Sequence, residues 1–210
     1  MEEDVVFRAY ITNLGRYNEG YLVGEWVDFP IKHENMDVKE TINEILCRIG
    51  VDGMCYEEYF ITDYESDIDS LIGCFGEYED LLLLHFLACK IQEMDYGIEQ
   101  FESMIAYGEM IGSIGELINL TDNADCFYFM PDVENDYDLG YECVQNSGIF
   151  TQELKSLGRL ADYIDYESYG CDIRLDEGGI HTKNGYISLM GSMSISFDWS
   201  KDEIPKKYLQ

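Results

Sequence analysis

A chain of 210 residues with 46% apolar side chains has enough to bury for one or two domains, or for several small ones in a row, and too much for a disordered acidic tail. Its 43 acidic residues against 13 basic ones leave a formal net charge of -30, which strongly disfavours contact with nucleic acid and anionic lipid and favours a basic surface or many cations. Seven scattered cysteines, none at CxxC spacing, read as reduced thiols of a cytoplasmic protein; the N-terminus lacks the basic region of a signal peptide, and the longest apolar run, LLLLHFLAC (81–89), is too short for a membrane span.

In chain order, VVFRAYITNL (5–14) reads as a strand, YNEG (17–20) as a turn, and GYLVGEWVDFP (20–30) as the returning strand. DVKETINEILCRIG (37–50) has apolar residues at helical spacing, with Asp37 placed to cap it and Gly50 to end it. YEEYFITDYE (56–65) is a third strand. DLLLLHFLACKIQEM (80–94) and YGIEQFESMIAYGE (96–109) read as adjacent helices, and Ser113 with Glu116 opens another at capping-box spacing. DCFYFMP (125–131) reads as a strand and LGYECVQNSG (139–148) as a short helix. LGRLADYIDYESYG (157–170) is helical, and CDIRLDEGG with IHTKNGYISLM is expected to close the fold as a hairpin. The plan is α+β: a sheet plus one helix over 1–65, a helical bundle over 66–120, a sheet plus helices over 121–192, and a C-terminal tail over 193–210.

Negative charge runs through this whole plan. Residues 61–120 carry thirteen acids and one base, and residues 121–180 carry fourteen acids and three bases. Ordinary surfaces mix signs, and no single local site accounts for such a spread. In FMPDVENDYDLGYE (129–142), Asp132, Glu134, Asp136 and Asp138 fall at every second position. They do not make an EF-hand, because Tyr137 stands at the sixth place, where Gly is needed, and Cys143 at the twelfth, where Glu is needed. Asp132 with Glu153 and Lys155 spells a PD…ExK pattern, in which the two acids would hold Mg²⁺ and the lysine would help activate water. That gives an alternative reading as a metal-dependent nuclease, opposed by a surface that repels polyanions. Walker A, GxSxG, HExxH and GxGxxG motifs are absent from the sequence, and no cofactor or resident metal is called for.

Duplex DNA carries one charge per about 1.7 Å of axis, so thirty charges match about 50 Å of duplex, roughly 15 base pairs. Three small domains end to end would reach that length. Carboxylates accept charge-assisted hydrogen bonds from Lys and Arg much as phosphates do. The chain therefore reads as a non-enzymatic decoy for a DNA-binding groove.

Three stretches carry a resemblance. YITNLGRYNEGYLVGEWVDFP (10–30), YEEYFITDYE (56–65) and LGRLADYIDYESYGCDI (157–173) occur in the order and form found in ArdA antirestriction proteins, which the chain resembles over about 7–190. Cys171 departs from the arginine common at that place, and the segment after 191 lies outside the pattern. The resemblance implies an elongated three-domain protein that dimerises through its C-terminal domain. It also implies mimicry of bent B-form DNA and occupation of the DNA-binding groove of type I restriction-modification enzymes, formed by their modification and specificity subunits, to protect incoming mobile-element or phage DNA. An inhibitor of another nucleic-acid-binding defence enzyme is the nearest alternative. The carboxylates expected to meet the partner are Asp63, Glu65, Asp67 and Asp69, then Asp132, Glu134, Asp136 and Asp138, and finally Asp162, Asp165 and Glu167. Tyr163, Tyr166 and Tyr169 are expected to share one helical face.

Overall fold

The computed structural model describes residues 5–32, 37–94, 97–146, 156, 158–198 and 200–210. Strand β1 (Phe7–Asn13) alternates as a half-buried strand must: Phe7, Ala9 and Ile11 are buried, while Arg8 and Tyr10 are only part-buried. It is the centre of an antiparallel sheet, between β2 (Gly24–Phe29) and β3 (Tyr59–Ser66). The register places Tyr10 beside both Trp26 and Asp63, with a bulge between Tyr10 and Ile11 on the β3 side.

The returning strand begins later than its sequence implies. Asn13 accepts from the Arg16 amide at 2.9 Å and caps a short helix, α1 (Leu14–Asn18). The YNEG stretch therefore ends a helical turn, and Gly20, at φ 90°, reverses the chain before β2 starts at Gly24.

Helix α2 (Val38–Arg48) follows the spacing and cap read from the sequence: Asp37 accepts from the Glu40 amide at 3.0 Å, and Val38, Ile42 and Ile45 are buried. A short α3 (Asp69–Ile72) leads to three longer helices, α4 (Leu81–Gln92), α5 (Gly97–Tyr107) and α6 (Ile114–Asp122). Asp80 caps α4 and Ser113 caps α6. The second sheet is antiparallel, in the order β4 (Phe127–Pro131), β6 (Gly185–Leu189), β5 (Ile180–Thr182). Two helices lie beside it, α7 (Asp136–Asn146) and α8 (Tyr166–Glu177).

Residues 171–177 correct the expected hairpin: CDIRLDE continues α8, and only 180–189 forms the hairpin. Asp165 caps this helix and Gly178, at φ 65°, ends it in the left-handed conformation. The helix crosses α7 closely. A Cβ on Gly140 would stand 2.0 Å from the Tyr166 carbonyl, and one on Gly170 would stand 1.8 Å from the Asp136 carbonyl. The two helices therefore meet backbone to backbone, which only glycine permits at both positions.

Buried apolar side chains from Val6 to Tyr208 join the first sheet, α2 and α4–α6 in one cluster, so packing crosses from residues 1–65 into 66–120 without a break. Met130, Val133, Leu139 and Tyr186 form a smaller cluster between the second sheet and α7. The hairpin is tied to α5 through Glu102, which takes Lys183 at 2.8 Å and the Asn184 amide nitrogen at 2.9 Å. The segment expected to be a plain tail packs too: Phe197, Ile204 and Tyr208 are buried. Among the described residues no helix is long and apolar enough to cross a membrane.

Candidate acidic interface

The first set of carboxylates stands on the outer face of the first sheet. Asp63 and Glu65 are exposed on β3, two residues apart and hence on one face. The Tyr64 amide donates to Asp63 at 2.9 Å. Glu65 lies 3.4 Å from the Arg8 guanidinium, which is 3.6 Å from Asp28 on its other side and 5.6 Å from the centre of the Trp26 ring. Tyr10 meets Trp26 edge-on at 5.4 Å. This face is thus an acidic border around an aromatic pair and one arginine. Asp67 is exposed just beyond β3, and Asp69 opens α3, its side chain outside the described residues.

The second set is not one straight row. Asp132 follows β4 in the left-handed conformation, at φ 65°, and is exposed. Val133 turns inward, and Glu134 is exposed again. Asp136 and Asp138 then belong to the first turn of α7, where the helix dipole favours them. Asn135 accepts from the Asp138 amide at 2.9 Å, while the Asp138 carboxylate accepts from the Glu134 amide at 3.3 Å, a reciprocal cap. Asp136 receives Arg174 through Nε at 2.7 Å and Nη2 at 3.0 Å, and His181 Nε2 lies 2.8 Å from its Oδ1. The Arg174 hydrogen bonds, then His181, hold the Asp136 carboxyl far below the ordinary carboxylate range, against the opposing effect of burial. Asp132 and Glu134 therefore face outward, whereas Asp136 and Asp138 are occupied within the fold.

The third set lies around the start of α8. Asp162 falls in a 3-10 turn (Gly158–Tyr163), with its side chain outside the described residues. Asp165 accepts from the Ser168 amide at 3.0 Å and from its hydroxyl at 2.8 Å, and these bonds lower its pKa. Glu167 is exposed in the first turn. A hollow of about 620 Å³ between α7, α8 and β5 is lined by Glu134, Asp136, Tyr137, Glu167, Arg174 and His181, among others, so two acids of the second set and one of the third share one place. The first set stands on the other sheet.

The tyrosines depart from their expected grouping. Tyr163 precedes α8 and is 84% exposed, while Tyr166 turns onto α7, with ring centres 5.6 Å from Tyr137 and 5.4 Å from Tyr141. Tyr137 and Tyr141 stack at 6.4 Å and remain largely exposed. The sequence signal for this pair was present in their i,i+4 spacing. The pairing of Asp136 with Arg174 had no such local sign.

His85 is buried: its Nδ1 accepts from the Ile31 amide at 3.0 Å, leaving the proton on Nε2, 2.8 Å from the Tyr208 carbonyl. Cys89 Sγ is 3.5 Å from the same Nε2, but burial pushes its thiol up to about 11, so this pair is not an activated nucleophile. All seven cysteines are free thiols, and Cys171 Sγ lies 3.7 Å from Arg174 Nη2. Of the nuclease pattern, Asp132 is placed, and Glu153 and Lys155 lie outside the described residues. Among the described residues no three His, Cys, Asp or Glu side chains are grouped to hold a metal ion.

A comparison with curated proteins finds no match. A family model described as antirestriction protein (ArdA) matches residues 9–188, spanning the first sheet, the middle helices, the α7–α8 pair and most of β6. The chain belongs to the ArdA family of antirestriction proteins.

Proposed function

We propose that this protein inhibits type I restriction-modification enzymes by occupying the groove in which their modification and specificity subunits hold DNA. Its carboxylates take the lysines and arginines that otherwise take phosphates, and the protein performs no catalysis of its own. The observation that carries this reading is the distribution of charge. A net of -30 is spread over two sheets and the helices between them, and exposed acids recur on β3, after β4 and at the start of α8. Family membership supplies the antirestriction role that this surface serves.

Asp63, Glu65, Asp67, Asp132, Glu134 and Glu167 are the contacts we assign first, because their side chains are exposed. Asp69 and Asp162 belong to the same stretches. Asp136, Asp138 and Asp165 add to the field while holding helix ends. The exposed tyrosines of α7 and α8 are the surface we assign to a homodimer, since paired aromatics make good interface anchors.

The test is a titration of a purified type I enzyme, reading DNA binding and cleavage. Inhibition relieved by added DNA carrying the enzyme's site is the expected result. Asp132→Ala with Lys155→Ala should leave inhibition nearly intact, and the protein alone should not cut DNA with Mg²⁺ or Mn²⁺. Metal-dependent cleavage abolished by that double change would establish the nuclease instead.

A further inference from the structure

The residues beyond the family match do specific work. After β6 the chain runs along α6, where Asn119 and Asn123, four residues apart and buried, act as a substitute strand edge. Asn123 takes the Ser194 amide and donates to its carbonyl, both at 2.8 Å. Asn119 takes the Ser196 amide at 2.7 Å and the Phe197 amide at 2.8 Å, and donates to the Phe197 carbonyl at 2.9 Å. Phe197 and Tyr208 both pack on Phe86 of α4, with ring centres 5.5 and 4.8 Å away.

The far end reaches the N-terminal unit. The Val38 amide, at the start of α2, donates to the Leu209 carbonyl at 3.1 Å. His85 links the Tyr208 carbonyl to the Ile31 amide, just past β2. Beside these contacts the outer half carries exposed charge pairs: Lys201 with Asp80, and Lys207 with Glu93 at 3.1 Å, while the Tyr208 hydroxyl donates to Glu93 at 2.6 Å. The strap therefore has a buried anchor on α6 and an ionic latch at its end.

We propose that residues 192–198 and 200–210 form a clasp that locks the N-terminal sheet and α2 onto α4–α6, and that inhibition depends on the clasp being shut. It rests on the interface reading above for its second half: acids on β3 and acids beside α7 and α8 engage one groove together only if their spacing is fixed, and preorganisation of that kind strengthens binding without new contacts. The latch is the weak half, because exposed ion pairs are screened by salt.

The test uses the full chain with Lys201→Glu and Lys207→Glu together, followed by amide hydrogen exchange. The Ile31 and Val38 amides should exchange at least fivefold faster while α8 amides stay as in wild type. Lys207→Glu combined with Glu93→Lys should bring Val38 back towards its wild-type rate. Unchanged exchange at Ile31 and Val38, or equal acceleration in α8, would overturn the clasp. This arm needs no target enzyme, so it decides the clasp even if the interface reading fails. In an inhibition assay the double variant should be the weaker inhibitor, although its net charge goes from -30 to -34. A decoy acting by charge alone would improve with that change, and equal or stronger inhibition would overturn the coupling.

Discussion

Asp136 and Glu134 are two residues apart and have opposite duties. Asp136 holds α7 to α8 and β5 through Arg174 and His181, while Glu134 faces solvent. Asp136→Asn should therefore cost about 1.5–3 kcal/mol of stability, the range for hydrogen bonds to charged groups. Glu134→Gln should stay within about 0.5 kcal/mol of wild type. Thermal or urea unfolding of both variants checks the contrast. The pH dependence has a definite sign. The folded-state pKa of Asp136 is depressed, so its contribution is fully present above the ordinary carboxylate range and is lost as pH falls below that range towards the lower folded-state value. Glu93, depressed first by the Tyr208 hydroxyl and then by Lys207, acts in the same direction at the strap. Acid titration of stability should show wild type losing this increment below about pH 4, and Asp136→Asn losing less over the same interval.

At the scale of elements, the α7–α8 crossing is the least forgiving feature. Gly140→Ala or Gly170→Ala would place a methyl group inside a backbone contact, so the helices must separate; about 1–3 kcal/mol is expected, or more if they cannot shift. Circular dichroism with denaturant titration would show it, and an undisturbed midpoint would mean the crossing is looser than described. Elements with local signals were legible in the sequence. Asp37 and Ser113 mark helix starts by capping chemistry, and Ile42 and Ile45 mark a buried face by spacing. Residues 171–177 were not legible, because Arg174 in this run is tied to Asp136, 38 residues earlier, a partner with no local sign in the sequence. Helix α1 was hidden for a related reason: Asn13 serves both as its cap and as a donor to the Ile49 carbonyl, 36 residues away. The acids were visible by composition, but which ones are consumed internally was decided by partners distant in sequence, as with Asp136 and Arg174. The strap lacked periodicity because its backbone is held by side chains of α6 and not by a regular ladder.

For the whole molecule, the charge that defines the surface also opposes folding through self-repulsion. Raising salt from a few millimolar to about 150 mM shortens the screening length to about 8 Å. The melting temperature should rise over that interval, whereas affinity for a basic partner should fall. The two trends have opposite signs and one cause. The central claim is that many outward carboxylates act together. It is tested most directly by titrating a type I restriction-modification enzyme with wild type, with each single change among Asp63→Asn, Asp132→Asn, Glu134→Gln and Glu167→Gln, and with all four combined, at two salt concentrations. Each single change should cost on the order of 0.5 kcal/mol or less. The combined variant should cost clearly more, associate more slowly, and show a weaker salt dependence. One single change that abolishes binding while the other three together do nothing would contradict the account and reveal an ordinary hot-spot interface.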